Sequence, residues 1–302
     1  MNYNRKIILT AVLLVALAGC GEEPPRTGNS SDRAEAPPMR SMGDRLVLPV
    51  EAYLLSDKQR QLIQQAKATI TESCMKNLGL DYTPEPRVPA TGLGLTDRRY
   101  GMTDATFARE NGYHLPTIRG GGSAVPDKPL KGEEYLALYG RGDGEKDIRS
   151  AAIKINDKDV PRGGCAGSAE RELAGGSDEV YGEGQIALEV SKKSFEESRS
   201  DPRVRSLIPQ WSRCMKEKGY SYSDPLTSGE DVMGGEEPSE KEKDVAVADA
   251  ECNNQTKLAK KWHSVESAIQ EKFINLNKGP LERLRALKEK ELVKSRAVIS
   301  GN

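Results

Sequence analysis

Apolar residues recur every three or four positions in three long stretches of the chain, which is the periodicity of an amphipathic α-helix. In the first stretch, Ser56 and Gln59 form a capping-box pattern, and Gly79 ends the repeat. The apolar positions between them are Leu62, Ile63, Ala66, Ile70, Cys74 and Leu78. This stretch predicts one long helix.

The second stretch has the same periodicity but contains a proline. Asp201-Pro202 can begin a helix and Gly219 can end it. Its apolar side carries Leu207, Trp211, Cys214 and Met215. Pro209 either kinks this helix or belongs to the first turn of a shorter one.

The third stretch is the longest. Ser239 and Glu242 form a second capping-box pattern, and one apolar stripe continues from there to Phe273. Gly279-Pro280 stops this helix, and a final leucine-rich helix follows. We expect that helix to fold back on its predecessor as an αα-hairpin.

Shorter elements are expected between these stretches. Brief helices are predicted at 103–111, 133–139, 166–173 and 185–198. The segment 152–160 has a polar Asn-Asp turn between β-branched residues, which is typical of a small β-hairpin. The predicted fold class is therefore mainly α, with a small β-hairpin and a C-terminal αα-hairpin.

The amino terminus has the pattern of an export signal. Arg5-Lys6 precedes an apolar run from Ile7 to Leu17, which is shorter than the about 20 residues of a membrane-spanning helix. Leu17-Ala-Gly-Cys20 then resembles a bacterial lipobox, in which the cysteine is lipidated and becomes the first residue of the mature protein. We expect residues 1–19 to be a signal peptide and Cys20 to anchor the chain on the extracytoplasmic side of the cell membrane. An accidental match in an ordinary signal peptide is the alternative.

Composition divides the rest of the chain and excludes one class of partner. Residues 20–45 are polar and rich in Pro, Gly and Ser, which predicts a flexible tether. Two related halves are expected after it, at 46–180 and 181–302.

The chain has 45 basic and 46 acidic residues, for a net charge of −1, unlike a strongly basic nucleic-acid-binding protein. We expect a membrane partner through the lipid anchor and no nucleic acid.

The chain contains one short motif twice, as Cys74-Met-Lys-Asn-Leu-Gly79 and as Cys214-Met-Lys-Glu-Lys-Gly219. Each copy is followed by a second cysteine at a predicted helix, Cys165 and Cys252 respectively. Four cysteines allow three pairings, and we prefer Cys74–Cys165 with Cys214–Cys252 because each copy then becomes a closed unit. A zinc site is the alternative, but zinc favours close pairs such as Cys-x-x-Cys, and the expected compartment is oxidising. We therefore predict a disulfide-stapled helical ectodomain and assign no metal.

Several of these motifs are similar to a group of uncharacterised actinobacterial lipoproteins with a duplicated Cys-Met-Lys motif. The resemblance is carried by Trp211-x-x-Cys-Met215 with Gly219-Tyr-x-Tyr222, by the residues before Cys165 and Cys252, by Arg99-Tyr-Gly101 and by Asn111-Gly-Tyr-His-Leu-Pro116. It covers most of the mature chain. It implies an architecture and a location, not an activity.

One polar loop carries candidate ligand-binding residues, which are Arg98, Arg99, Tyr100 and His114. Together they could hold an anionic group through charge-assisted hydrogen bonds. The alternative is that they satisfy loop carbonyl groups. A cleft that gathers all four would favour a ligand.

Motifs for catalysis are missing from the sequence. It has no Gly-x-Ser-x-Gly elbow, no His-Glu-x-x-His zinc helix, no set of Ser-x-x-Lys with Ser-Asp-Asn and Lys-Thr-Gly, and no Gly-Lys-Ser/Thr phosphate loop. We assign no catalytic residue and no cofactor. The chain is interpreted as a non-enzymatic binding or interaction module of the cell envelope, with an unidentified envelope protein or ligand as partner. A cell-envelope hydrolase and a structural subunit of an envelope complex are the alternatives.

The last predicted helix has more basic than acidic residues. Its bases are Arg283, Arg285, Lys288, Lys290, Lys294 and Arg296. This excess could contact anionic lipid or a wall polymer, and a solvated helical face is the alternative.

Overall fold

The computed structural model describes residues 45–84, 94–115, 130, 132–141, 153–182 and 184–301. The predicted signal peptide, Cys20 and residues 20–44 of the predicted tether lie outside these ranges. The described residues form a mainly helical fold with one β-hairpin and two disulfides, which confirms the predicted mainly α class and its small β-hairpin.

A short 3₁₀ helix at Pro49–Tyr53 precedes the other elements. The helices are α1 (Asp57–Asn77), α2 (Ala105–Asn111), α3 (Glu133–Tyr139), α4 (Gly164–Leu173), α5 (Gln185–Ser200), α6 (Pro202–Arg205), α7 (Ile208–Glu217), α8 (Glu240–Thr256), α9 (Leu258–Leu276) and α10 (Lys278–Ser300). The hairpin consists of β1 (Lys154–Ile155) and β2 (Lys158–Asp159).

Local sequence signals set the ends of α1 and the turn of the hairpin. The Ser56 hydroxyl accepts a hydrogen bond from the Gln59 backbone, and the Gln59 side chain accepts one from the Ser56 N–H. In the hairpin, Asn156 and Asp157 adopt φ values of 48° and 61°, which these two residue types tolerate in a tight turn. The Asn156 side chain also donates to the Leu78 carbonyl at 2.8 Å and so holds the hairpin against the end of α1.

Pro209 does not kink a long helix. The chain forms the short helix α6, turns at Ser206-Leu207 and begins again as α7, with Pro209 in the first turn. A missing N–H has no effect there, because the first-turn N–H groups have no partner within the helix. The second of the two alternatives for Pro209 is therefore confirmed.

The predicted single helix from Ser239 to Phe273 is two helices. Lys257 separates α8 from α9 with a left-handed φ of 57°, which costs a residue with a side chain about 1–2 kcal/mol. Asn253, which is 1% exposed, holds this break in place. Its Oδ1 accepts from the Ala259 N–H at 2.9 Å, and its Nδ2 donates to the Tyr100 carbonyl at 2.8 Å. Periodicity misses the break because the apolar stripe continues across it.

The last helix begins almost directly after its predecessor, with Asn277 between them. Gly279-Pro280 lies inside the first turn of α10 instead of ending α9. The sequence predicts that α10 folds back on α9, but its principal neighbour is α1. Leu292 packs there with Ile63 and Ala66, so α10 joins the end of the chain to its first helix.

The disulfides join Cys74 to Cys165 and Cys214 to Cys252, the pairs preferred from the sequence. The first connects α1 with α4, and the second connects α7 with α8. They close loops of 91 and 38 positions. In the chain-entropy view such cross-links stabilise by at most about 4.5 and 4 kcal/mol.

Candidate functional site

The loop of residues 94–104 carries three of the four predicted ligand-binding residues and lies against α8 and α9. Arg99 and Tyr100 come together on one buried carboxylate, that of Glu266 on α9, which is fully buried. The Arg99 guanidinium donates to it at 2.6 and 3.0 Å, and the Tyr100 hydroxyl donates at 2.8 Å. Burial and the neighbouring Glu266 carboxylate raise the pKa of Tyr100 above its usual value, so its hydroxyl remains a donor.

Helix α5 completes the Glu266 cluster. The Ser194 hydroxyl donates to Glu266 at 2.9 Å, and Arg99 also donates to the Ser191 carbonyl. The Arg99 guanidinium lies over the Phe195 ring, 4.6 Å from its centroid. The Arg99 guanidinium is thus engaged by an ion pair, by hydrogen bonds and by an aromatic ring, and its side chain is only 12% exposed. Its function in the fold is to hold the loop against α5 and α9.

Gln270, one turn after Glu266, extends the cluster to the amino-terminal end of the described chain. Its Nε2 donates to Ser194 at 3.0 Å, and its Oε1 accepts from the Val50 backbone at 2.9 Å. The 3₁₀ helix is thereby attached to α9 across a long sequence separation.

A second fully buried carboxylate, that of Asp249 on α8, lies beyond the same loop. Its oxygens accept from Trp211 Nε1 at 2.9 Å, from the Ser228 hydroxyl at 2.7 Å and from the Tyr113 hydroxyl at 3.1 Å. Burial raises the pKa of Asp249 to about 6, although the hydrogen bonds from Ser228, Trp211 and Tyr113 oppose that rise. The sequence analysis missed Asp249, since one acid among many on a helix carries no local signal.

His114 contacts a third buried carboxylate, that of Glu242 at the start of α8. Its Nδ1 lies 2.8 Å from Glu242 Oε1, and the Tyr113 N–H donates to the same oxygen at 2.8 Å. The hydrogen bond to Glu242 raises the pKa of His114. Ser239 caps the helix by accepting from the Glu242 N–H, as predicted, but the Glu242 side chain turns to the 112–114 loop instead of returning to the cap.

Arg98 packs on a ring of helix α2 and is not part of the Glu266 cluster. Its guanidinium lies 5.0 Å from the centroid of the Phe107 ring. Within the described part of the chain, Arg98 Nε and Nη2 and Glu242 Oε2 are buried without a hydrogen-bond partner. Burial lowers the pKa of Arg98, while the acids Asp249, Asp97 and Glu242 and the hydroxyl of Tyr113 act in the opposite direction.

The four predicted residues therefore divide between different carboxylates. Arg99 and Tyr100 bind Glu266, His114 binds Glu242, and Arg98 lies near Glu242 and Asp249 without an ion pair to either within the described residues. The main partners of Arg99, Tyr100 and His114 are thus buried carboxylates, and not the loop carbonyl groups of the alternative weighed from the sequence.

A cleft of about 480 Å³ opens beside the 94–104 loop, where α8 meets α9. Its polar lining is contributed by Arg45, Thr96, Asp97, Thr103, Asn253, Asn254, Lys257 and Lys260. Asn254 donates to the Thr103 carbonyl at 2.8 Å and so fixes the loop at the rim. Sequence reasoning could not find this cleft, because the segments that form its walls are far apart in the sequence and come together only in the folded chain.

Comparison with known proteins finds no matching family, no matching curated protein and no matching solved structure. In the ranges that the structure describes, no three or more His, Cys, Asp or Glu side chains are grouped so that they could hold a metal ion. None of the helices in those ranges is both long and apolar enough to span a membrane.

Proposed function

We propose that this chain is a membrane-anchored extracytoplasmic lipoprotein that acts as a non-enzymatic binding or interaction module of the cell envelope. The lipobox-like Leu17-Ala-Gly-Cys20 after an apolar run supports the anchor and the location. The resemblance to actinobacterial lipoproteins points to the same location. The two disulfides agree with an oxidising compartment.

The observation that supports binding best is the cleft with walls held by buried polar clusters. The Glu266 cluster holds one part of the 94–104 loop, and Asn253 and Asn254 hold another part at the Tyr100 and Thr103 carbonyls. A wall fixed in this way loses little conformational freedom when a ligand binds, which favours affinity. Basic and amide side chains at its surface suit an anionic ligand.

A cell-envelope hydrolase is the second candidate, because of Asp249. A carboxyl group with a pKa of about 6 could act as a general acid near neutral pH. A general acid must also reach its substrate, however, and Asp249 is fully buried behind Trp211 and Ser228. The binding module is therefore the better-supported function.

Two measurements test the proposal, and the first addresses the anchor. Mass spectrometry of the native protein should find a mature chain that begins at Cys20 and carries acyl groups. The Cys20→Ser variant should leave the membrane fraction or retain its signal peptide. A native chain with an unprocessed, unacylated amino terminus would refute the lipoprotein function.

The second measurement addresses binding at the cleft. A photo-crosslinking residue at Lys260, in the cleft, should capture an envelope component in intact cells, whereas the same residue at Lys241, exposed on α8, should not. Equal capture at both positions, or capture at neither, would contradict a binding role for the cleft.

A further inference from the structure

Arg98 and Arg99 are adjacent in the sequence, yet the same edge of their guanidinium groups meets different surroundings. Nε and Nη2 lie side by side on that edge and suit a bidentate contact with a carboxylate. In Arg99 the edge binds Glu266, at 3.0 and 2.6 Å. In Arg98 both nitrogen atoms are buried without a hydrogen-bond partner among the described residues. Arg98 thus brings two unsatisfied donors into the protein.

A buried acceptor without a partner lies on α8. Glu242 is fully buried, and its Oε1 accepts from the Tyr113 N–H and contacts His114 Nδ1, each at 2.8 Å. Its Oε2 has no hydrogen-bond partner in the described ranges. A buried polar atom without a hydrogen bond is unfavourable, and the cost is greater for charged groups. Arg98 and Glu242 therefore both require a further partner.

Arg98 and Glu242 share the same surroundings. Tyr113 lies along α8 there, because its N–H binds Glu242 and its hydroxyl donates to Asp249 at 3.1 Å. Burial lowers the pKa of Arg98, and the groups that oppose this effect are Tyr113, Asp249, Asp97 and Glu242. The charges of both acids on α8 therefore act on the Arg98 guanidinium, although no ion pair joins it to them within the described residues.

Other contacts hold the two side chains in place. The Arg98 guanidinium lies 5.0 Å from the centroid of the Phe107 ring. Gly112 passes so close to Glu242 that a Cβ at that position would lie 2.5 Å from Oε1. With both side chains committed to these contacts, a small molecule that accepts and donates hydrogen bonds suits both of them. Water has two lone pairs for Nε and Nη2 and a hydrogen for Oε2, and a buried water typically makes about three such bonds.

An anion fits this place less well than water. It would bind the Arg98 edge but would face the negative charges of Glu242 and Asp249, whose repulsion is strong in a buried environment. It would also leave Glu242 Oε2 without a donor. The unsatisfied atoms of Arg98 and Glu242 are out of reach of bulk solvent, which favours a molecule as small as water.

We propose that at least one internal water molecule bridges Arg98 and Glu242, accepting from Arg98 Nε and Nη2 and donating to Glu242 Oε2. We call this place the Arg98 water site. It goes beyond the proposed function and does not depend on the lipid anchor. Asp97, the residue before Arg98, lines the cleft, so the bridge attaches the cleft wall to the start of α8.

A high-resolution crystal structure of the mature chain from residue 20, with Cys20→Ser to keep it soluble, tests the site directly. It should show a water within about 3.2 Å of Arg98 Nε or Nη2 and of Glu242 Oε2. A direct contact between the two side chains with no water between them would overturn the proposal. Crystals soaked in bromide should show no anomalous peak at this place, and such a peak would identify an anion site instead.

A second measurement counts the bound waters in solution. Magnetic relaxation of the solvent reports how many water molecules remain bound inside the protein. Arg98→Met removes both donors and should lower that number by one or more. Arg109→Met, on the exposed face of α2, is the matched control and should leave it unchanged. An unchanged number in the Arg98 variant, or an equal loss in the control, would overturn the proposal.

Hydrogen exchange tests the attachment of the cleft wall. The N–H groups of Asp97 and Arg99 donate to carbonyl groups within the same loop, at 3.3 and 3.2 Å. Arg98→Met should accelerate their exchange at least about fivefold, and Arg109→Met should not change it. Equal exchange in both variants would overturn the attachment. The crystal structure needs neither substitution, so a misfolded Arg98 variant would still leave the water site decided.

Discussion

The two copies of the Cys-Met-Lys motif end their helices in the same way but lie in different surroundings. Gly79 and Gly219 both adopt left-handed φ values, of 78° and 92°. The N–H of the residue after each glycine donates to the carbonyl of the motif methionine, at 3.1 and 2.9 Å. Met75 and Met215 are both fully buried. The repeated residues therefore encode one local device, a capped helix end beside a disulfide.

Around the first copy the core is small and apolar. Met75 and Leu78 pack with Leu138, Ile155 and Cys165, and the carboxylates that are fully buried among the described residues lie elsewhere. Around the second copy, Trp211 packs in a large cluster with Trp262 and Tyr100 and also binds the buried Asp249. The region around the first copy therefore depends more on its disulfide, whereas the region around the second copy is also held by many other contacts.

The largest expected effect comes from the first disulfide. Cys74→Ala with Cys165→Ala should lower the free energy of unfolding by up to about 4.5 kcal/mol, because it opens the longer loop around the smaller core. Hydrogen exchange should accelerate in α3, α4 and the hairpin. Cys214→Ala with Cys252→Ala is the matched variant, and it should leave exchange in α7 and α8 slow. Faster local exchange in the second variant than in the first would contradict the comparison.

The next largest effect tests whether the Glu266 cluster stabilises the region around the second copy. Glu266→Gln should cost about 3 kcal/mol in chemical unfolding, because it leaves the nearly buried Arg99 charge without its counter-ion. Glu271→Gln, on the exposed face of the same helix, should change stability by less than about 0.5 kcal/mol. A similarly small effect of both substitutions would show that the Glu266 cluster does not stabilise this region.

A smaller effect compares equivalent positions of the two copies. Trp211 lies three residues before Cys214, as Thr71 lies three residues before Cys74. Trp211→Phe removes the indole donor to Asp249 and should cost about 2 kcal/mol by thermal or chemical unfolding. Thr71→Val should cost less than about 1 kcal/mol. A larger cost for Thr71→Val would place the more important polar contact in the first copy.

A pH dependence is the last effect, and it is confined to the second region. The pKa of His114 is raised in the folded protein by Glu242, so its stabilisation is present below the unfolded pKa of about 6.5 and is lost as the pH rises through the folded pKa. Glu237 and the Gly235 carbonyl face the same ring and act in the same direction. His114→Gln should therefore flatten the fall in stability toward alkaline pH. An unchanged slope in urea titrations across pH 5 to 8 would refute this contribution.

Asp249 also makes the folded protein less stable as the pH rises, but over a lower pH range than His114. Its pKa is about 6 in the folded protein against an ordinary 3.8, so the folded chain binds more protons than the unfolded chain between those values. Its contribution to stability therefore falls as the pH rises from about 4 to 6, and Asp249→Asn should remove that fall. Persistence of the same slope in the variant would assign it to another group.

Local signals in the sequence were sufficient for many elements. The cap at Ser56, the Asn156-Asp157 turn and the helix ends at Gly79 and Gly219 depend on hydrogen bonds between residues a few positions apart. Such interactions can be read directly from neighbouring residues. The cysteine pairs could be preferred as well, because four cysteines leave only three choices.

The candidate site was much less predictable. The sequence placed Arg98, Arg99, Tyr100 and His114 on one polar loop, but it could not show which carboxylate each of them faces. Arg99 and Glu266 are 167 positions apart, and Asn253 and Tyr100 are 153 apart. No local pattern connects residues at such distances.

Taken alone, the amino-acid sequence determined the helical class, several caps and turns, a preferred cysteine pairing and the expectation of an exported, lipidated chain. Tertiary structure decided the break at Lys257, the packing of α10 against α1, the full burial of the Glu242, Asp249 and Glu266 carboxylates and the cleft where α8 meets α9. The physical reason is the range of the interactions. Caps and turns form within a few residues, whereas buried ion pairs and grooves exist only after distant segments have been brought together and water has been excluded.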